Sequence, residues 1–210
     1  MNLILHTLLN LRVRLLLAGC LPLLVFIPTK ATSQSLQLNY KIIQGGDDIG
    51  WLKLEKTIAG TTTNLTAISE IKTRLIFEIN VFTKETSIFE SGNLVYSSQF
   101  RKNNDNIKLD KQIKLVDNKY VILENGEKEN LAIPSIRTNL LSLFFNEPID
   151  IDVAYCETQE CFVAVVKMVD GGYKVKLPDG NTNSYYYSGG VCTKIKINHT
   201  FYSAEIILKP

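Results

Sequence analysis

Residues 71–83 read IKTRLIFEINVFT, and this stretch decides the predicted fold class. Apolar and polar side chains alternate along it. One face would carry Ile71, Leu75, Phe77, Ile79 and Val81, and the other would carry Lys72, Arg74, Glu78 and Asn80. Because successive side chains of a β-strand point to opposite faces, this alternation predicts a single strand over residues 71–83 with one buried and one exposed face.

The strand pattern continues through the rest of the chain. Alternation recurs at residues 36–42, 173–177 and 191–197. Residues 161–169, CFVAVVKMV, are more continuously apolar and predict a central strand that is covered on both faces. The Asn-Gly pair at residues 125–126 and the Asp-Gly-Gly run at residues 170–172 are typical of tight turns. Short turns between neighbouring strands indicate antiparallel pairing.

One stretch, SIRTNLLSLFFNEP at residues 135–148, has helical spacing instead. Its apolar side chains at helical intervals are Ile136, Leu140, Leu143 and Phe144. Ser135 or Thr138 can cap the start of a helix, and Pro148 can end it. This pattern predicts one helix over residues 135–145, with its apolar face against the sheet.

These elements predict a mainly β fold. We expect a large curved antiparallel sheet of about nine or ten strands, with one helix packed on its concave side. A strongly twisted sheet of that size tends to curl, so a half-barrel or open barrel is the expected shape. A single β-rich domain would span residues 34–210 and would follow an N-terminal signal peptide at residues 1–33.

The N-terminal residues have the composition of an export signal. Arg12 and Arg14 precede an apolar run at residues 15–27, and small residues follow before a predicted cut between Ser33 and Gln34. Export would place the mature chain in the periplasm. A retained membrane helix is the weaker alternative, because a membrane span needs about 20 apolar residues.

A competing signal lies inside the same stretch. Residues 17–20, Leu-Ala-Gly-Cys, resemble the lipobox at which bacteria cut a precursor and attach a lipid to the cysteine. This alternative would tether the protein to a membrane through Cys20. It fits less well, because it leaves a short apolar run before the cut and an apolar stretch, rather than a polar tether, after it.

Composition argues against several classes of function. The chain has 23 basic and 21 acidic residues, and residues 1–33 contain three of the basic residues and no acidic one. The mature chain is therefore close to neutral, which predicts no nucleic-acid partner. Only His199 would remain of two histidines, and no glycine-rich phosphate loop is present. We therefore expect no cofactor, no metal site and no histidine-based catalytic residues.

Three cysteines would remain after export. Cys156 and Cys161 flank the four residues ETQE, and a loop of that length would place them opposite each other on two antiparallel strands, where a disulfide can close. Alternation places Cys192 on the same face as Lys194 and Lys196, which predicts a position outside the core.

The predicted function is non-catalytic. We expect the concave face to bind an apolar ligand or a partner segment of an envelope protein, through Leu140, Phe144, Tyr185 and Tyr187. Two alternatives remain open. One is a carboxylate-dependent periplasmic hydrolase that uses Asp150, Asp152 or another acid. The other is an envelope scaffold that pairs through an exposed sheet edge.

Three motifs, in this order along the chain, carry a family resemblance. They are YKIIQGGDDIGWLKLEK at residues 40–56, SIRTNLLSLFFNEP at residues 135–148 and LPDGNTNSYYYSGG at residues 177–190. The chain resembles a family of small exported Gram-negative bacterial proteins classed as a domain of unknown function, 6134-type. The resemblance implies a curved antiparallel sheet, with a distant likeness to the half-barrels of periplasmic lipoprotein carriers. It implies no activity, and no catalytic residue transfers.

Overall fold

The computed structural model describes residues 33–74, 78–200 and 202–210. In these residues, fourteen strands form one antiparallel sheet. The strands are β1 (Gln34–Gln44), β2 (Asp47–Ala59), β3 (Thr62–Arg74), β4 (Glu78–Glu90), β5 (Asn93–Asn103), β6 (Asn106–Val116), β7 (Lys119–Glu124), β8 (Glu127–Leu131), β9 (Val153–Cys156), β10 (Cys161–Lys167), β11 (Tyr173–Lys176), β12 (Thr182–Ser188), β13 (Val191–Asn198) and β14 (Ser203–Leu208).

The order of strands in the sheet is β8-β7-β6-β5-β4-β3-β2-β1-β14-β13-β12-β11-β10-β9. Two runs of consecutive hairpins are therefore joined where β1 pairs with β14. The two outermost strands, β8 and β9, are consecutive in sequence and are connected by residues 132–152. The mainly β, antiparallel prediction is confirmed, whereas the predicted count of nine or ten strands was too low.

Part of the shortfall arises at residues 71–83, which were predicted to form a single strand. β3 ends at Arg74, β4 begins at Glu78, and these two residues are direct partners in a hairpin. Ile71 likewise pairs with Val81, so residues in odd positions face odd ones across the hairpin. Because partners lie on the same face of a sheet, the alternation passes unchanged through the turn and cannot distinguish one strand from two. Leu75 and Phe77 lie outside the described residues.

The predicted helix at residues 135–145 is also wrong. Helical structure in this stretch is limited to one 3-10 turn, Ser142–Phe144. The backbone bonds to the sheet instead: the Leu94 N–H donates to the Ile136 carbonyl at 2.8 Å, and the Leu140 N–H donates to the Tyr155 carbonyl at 3.1 Å. A backbone group that bonds outward cannot close a helical turn. We call residues 133–148 the plug segment.

Of the four apolar side chains whose spacing suggested a helix, the plug segment buries Ile136 and Leu143, whereas Leu140 and Phe144 are half-buried. Besides Pro148, its buried apolar side chains are Ile136, Leu141, Leu143 and Phe145. They belong to the same core as Tyr40, Leu54 and Leu94 of the sheet. The predicted packing of an apolar face against the sheet therefore occurs, but it is achieved by a largely irregular chain.

Two further predictions, a central strand at residues 161–169 and an exposed Cys192, are wrong. Residues 161–169 do not form a central strand, because β10 lies next to the edge strand β9, and Val166 is 57% exposed. Cys192 is fully buried rather than on a polar face. A β-bulge shifts the register between Tyr186 and Tyr187 and inserts Thr193, so that Cys192 and Ile195 both face the core. In the described residues, helices long and apolar enough to span a membrane are absent.

Candidate functional site

A row of polar side chains crosses four neighbouring strands. Glu85 of β4 is the direct partner of Gln99 of β5, Gln99 pairs with Lys111 of β6, and Lys111 pairs with Glu124 of β7. We call these four residues the polar ladder. Directly opposed residues share one face of a sheet. Gln99 and Lys111 are only 8% and 5% exposed, so the ladder lies on the buried face.

The loop between β9 and β10, residues 157–160, contacts this ladder and is here called the hairpin tip. Thr158 hydrogen-bonds to Gln99, with the Thr158 Oγ1 3.2 Å from the Gln99 Nε2. Glu160 accepts a short ion-paired hydrogen bond from the Lys111 Nζ, which also lies 3.0 Å from a carboxylate oxygen of Glu124. The hairpin tip comes from the opposite end of the strand order, so these contacts require the sheet to curve until its two ends meet. The ladder therefore lies on the concave face.

Asn139 of the plug segment connects the hairpin tip to strand β4. Its side-chain amide donates to the Ser87 Oγ at 2.7 Å and to a carboxylate oxygen of Glu157. The side-chain carbonyl oxygen of Asn139 accepts a hydrogen bond from the Ser142 N–H at 3.0 Å and so supports the 3-10 turn. Asn139 is fully buried. One side chain therefore ties the plug segment, the hairpin tip and strand β4 together.

Two carboxyl groups converge at this point. Glu157 is 6% exposed, and its burial raises the pKa of the carboxyl to about 7, with repulsion from Glu85 adding to the rise and the Asn139 hydrogen bond opposing it. Burial also raises the pKa of Glu85, against the lowering effects of Arg101 and Gln99. Two like charges in a poorly solvated place disfavour ionisation of both. The pair can therefore hold a proton close to neutral pH.

Lys111 is a buried cation with two acidic partners. Burial alone would lower the pKa of this ammonium group, but hydrogen bonds and charge attraction from Glu160 and Glu124 outweigh it, and the pKa is raised. A buried charge is tolerated when it is paired and hydrogen-bonded. The ion triad of Lys111, Glu124 and Glu160 is therefore a structural clamp between β6, β7 and the hairpin tip.

One cleft lies beside the ion triad, and a second lies at β1, β2 and the C-terminal residues. One of about 570 Å³ is lined by Ile122, Glu124, Asn125, Glu127, Lys128, Glu129 and Glu160. The other, of about 420 Å³, is lined by Asn39, Tyr40, Trp51, Leu52, Lys53, Lys209 and Pro210. The first opens beside the ion triad and is dominated by acidic side chains. In the described residues, no group of three or more histidine, cysteine or acidic side chains is arranged to hold a metal ion.

The predicted ligand-binding residues Leu140 and Phe144 belong to the plug segment, and Tyr185 and Tyr187 lie on the sheet that it contacts. The Phe144 ring packs edge-on against Tyr40, with ring centroids 5.8 Å apart, and against Tyr185 at 6.3 Å. The Tyr187 hydroxyl donates to the Leu143 carbonyl at 2.8 Å. Leu140 is half-buried, and its backbone pairs with β9. The aromatic cluster of Tyr40, Phe144 and Tyr185 therefore forms between the plug segment, which contributes Phe144, and the sheet.

The acids suggested for catalysis lie elsewhere. Asp150 and Asp152 are both exposed, in the connection before β9. The acids that converge are Glu85 and Glu157, which the sequence reasoning missed. A usable signal exists at Lys111, which interrupts the apolar alternation of Leu109, Ile113 and Leu115 on one face of β6. A charge in such a series indicates a partner across the core.

Cys156 and Cys161 are direct partners across β9 and β10, and both are free thiols. Burial raises the pKa of the Cys156 thiol to about 11. Of the predicted cleavage site, Ser33 is exposed and Gln34 is the first residue of β1. Cys20 and the rest of the predicted signal peptide lie outside the described residues.

Comparisons with known proteins agree with this fold. A family described as "Domain of unknown function (DUF6134)" matches residues 40–209, which confirms the predicted resemblance. A solved structure of a beta-barrel-like protein of the domain of unknown function DUF1849 from Brucella abortus is similar, with 11% sequence identity and a TM-score of 0.53. The match covers 82% of this chain and 95% of that chain, and it shows the fold alone. The curated proteins contain no match.

Proposed function

We propose, from the premise that this chain belongs to the DUF6134 family of domains of unknown function, that it is an exported, non-catalytic binding protein of the cell envelope. Its concave face would bind an apolar ligand or an apolar segment of a partner. The observation that carries the proposal is the aromatic cluster in which Phe144 of the plug segment covers the rings of Tyr40 and Tyr185.

The plug segment is suited to be displaced. Its internal regular structure is the single turn Ser142–Phe144, so little cohesion of its own would be lost if it moved. Apart from Asn139, the side chains that it buries in the core are apolar, and a ligand that replaces these apolar side chains must be apolar too. An apolar chain that occupies the place of Phe144 would meet the rings of Tyr40 and Tyr185.

Export is part of the proposal and is supported by the leader-like residues 1–33. A cut between Ser33 and Gln34 would fall at an exposed position and leave strand β1 whole, with Gln34 paired to Ile58. The mature thiols of Cys156 and Cys161 would then meet an oxidising compartment.

Pairing through a sheet edge is less well supported. The edge strand β8 has the sequence EKENL, with its four polar residues exposed. Charged side chains along an edge oppose pairing with another chain. At the other edge, the Tyr155 N–H of β9 already donates to the Thr138 carbonyl at 2.8 Å.

A second candidate, a carboxylate-dependent periplasmic hydrolase, is favoured by one observation. Glu85 and Glu157 converge, and the raised pKa of Glu157 suits a general acid near neutral pH. Neither acid is among the residues that line the two clefts. This candidate requires hydrolysis of 4-nitrophenyl esters or glycosides by the native protein and its loss in Glu157→Gln. Equal rates in both proteins would contradict it.

Binding is tested with the fluorescent apolar probe N-phenyl-1-naphthylamine and with dodecanoate as a competitor. We expect saturable probe binding, displacement by dodecanoate, and several-fold tighter binding by Phe144→Ala, which loosens the plug. Val166→Ala, on the exposed face of β10, is the matched control. Absence of saturable binding in both the native protein and Phe144→Ala would contradict the proposal.

Export is tested by fractionation of a Gram-negative cell that produces the full chain. We expect the protein in the periplasmic fraction with Gln34 as its first residue. A cytoplasmic protein that keeps Met1 would contradict export, and a lipid on Cys20 would replace the periplasmic location with a membrane anchor.

A further inference from the structure

We propose that Cys156 and Cys161 are an oxidation site at which a disulfide closes across the base of the hairpin tip and locks it onto the polar ladder. The inference rests on the proposed export, because cytosolic thiols are kept reduced. Its structural basis is the register of β9 and β10, in which the two cysteines are direct antiparallel partners.

The two sulfurs are free and not at bonding distance, but the strand pairing is compatible with a disulfide. Direct partners in an antiparallel pair have Cα atoms about 4.5–5.5 Å apart. Disulfides form at Cα separations of about 4.4–6.8 Å. Cys156 and Cys161 also share one face, because direct partners always do. Bond formation would therefore require the two side chains to rotate toward each other, while the strand pairing is kept.

The tip that this bond would enclose carries the contacts that join the ends of the sheet. Between the cysteines lie Glu157, bonded to Asn139, Thr158, bonded to Gln99, and Glu160, paired with Lys111. Glu160 also adopts a left-handed backbone conformation, with φ of 53°. A non-glycine residue resists that conformation. A bond between Cys156 and Cys161 would therefore restrain the loop in the shape that presents these side chains.

The reaction is a thiol–disulfide exchange with a disulfide-bearing oxidant. The half-buried Cys161, as thiolate, attacks one sulfur of the oxidant, forms a mixed disulfide and expels one thiolate. Cys156 then loses its proton to solvent, attacks the Cys161 Sγ and expels the second thiolate. The two cysteines lose two electrons and two protons in total, and the oxidant's disulfide is reduced to two thiols.

Peptide mapping tests the bond in the protein isolated from its cells, before and after treatment with oxidised glutathione. Free thiols are alkylated, and trypsin then releases residues 138–167 with both cysteines and residues 177–194 with Cys192. A glutamate-specific protease next cuts after Glu157 and Glu160. We expect the two cysteine-containing fragments to stay joined until a reductant is added, and Cys192 to be alkylated.

Alkylation of both Cys156 and Cys161 after glutathione treatment would overturn the inference, as would a bond from either one to Cys192. If the protein stays cytoplasmic but oxidised glutathione joins Cys156 to Cys161, the disulfide inference stands and the proposed export fails. If the protein is periplasmic and begins at Gln34 but the two cysteines stay unpaired, the proposed export stands and the disulfide inference fails.

A stability measurement tests the consequence for the tip. A short closed loop restrains the unfolded chain enough to raise Tm by about 4–8 °C in a domain of this size. We expect that difference between oxidised and reduced native protein, and the same difference in Cys192→Ala. An unchanged Tm on oxidation, with the bond present by mapping, would overturn the proposed locking.

Discussion

Lys111 of β6 and Glu160 of the hairpin tip form an ion pair across the concave face. The two residues are 49 positions apart in sequence and belong to opposite ends of the strand order. Lys111 also bonds Glu124 of the neighbouring strand, so one buried ammonium group joins three segments. Strands β8 and β9 do not pair through their backbones. Side-chain contacts such as this ion pair therefore hold the two ends of the curved sheet together.

Replacement of the cation, Lys111→Met, should be strongly destabilising. It leaves Glu160 and Glu124 facing each other without a positive charge. Breaking a buried pair by removing one partner costs about 3–5 kcal/mol, and the partial exposure of both acids reduces this to about 2–3 kcal/mol. Urea unfolding measures the change. Lys108→Met, at an exposed position on the same strand, is the control and should change stability by less than about 0.5 kcal/mol.

Stability should fall as the pH rises from about 4.5 to about 7, because of Glu157. Its pKa is about 7 in the folded protein and near 4.5 when unfolded, so the folded state binds the proton more tightly. The resulting stabilisation is complete below about pH 4.5 and is lost by about pH 7, a change of about 3 kcal/mol for an isolated group. Denaturant unfolding from pH 5 to 8 measures it.

Glu157→Gln keeps an oxygen for the Asn139 amide and removes the titration, so its stability should vary much less with pH. Glu129→Gln, at an exposed acid of β8, should retain the native dependence. An identical pH dependence in the native protein and Glu157→Gln would contradict the assignment to Glu157.

Loss of the Asn139 side chain should release the plug segment. Asn139→Ala removes the donor to Ser87 and Glu157 and the acceptor for the Ser142 N–H. A buried carboxyl left without its partner costs about 2–4 kcal/mol. Guanidinium unfolding measures the loss. Asn146→Ala, which removes an exposed hydrogen bond from Lys56, should cost less than about 0.5 kcal/mol.

A single hydroxyl anchors the beginning of the plug segment. The Tyr120 hydroxyl donates to the Leu94 carbonyl at 2.9 Å and accepts from the Ile136 N–H at 3.1 Å. Tyr120→Phe leaves both buried backbone groups without this partner and should cost about 1–3 kcal/mol. Amide hydrogen exchange at Ile136 should accelerate. Tyr96→Phe, a half-buried tyrosine on β5, serves as the control, and equal effects of the two substitutions would argue against the anchor.

Much of the fold class could be read from local patterns. Alternation and turn residues predicted a large antiparallel sheet, because side-chain direction along a strand depends only on backbone geometry. The same locality explains the error at residues 71–83, where the alternation is identical for one strand and for a hairpin. It also explains Cys192, since the bulge at Thr193 moves this residue to the opposite face.

The candidate site was less accessible to sequence reasoning. Ile136 and Leu143 of the plug segment were recognised as buried, but Leu141 and Phe145 were not, and the helical spacing was misleading because the backbone bonds to β5 and β9 instead. Glu85 and Glu157 belong to segments that no short motif connects. Lys111 alone carried a local signal, as a charge within an apolar alternation.

By itself, the sequence determined that this protein is a β-sheet protein with buried and exposed faces, because that periodicity is set residue by residue. Only the tertiary structure decided where the chain turns, how the plug segment lies and which charges meet. Those choices depend on hydrogen-bond and ion-pair partners far away in sequence, as Lys111 and Glu160 illustrate.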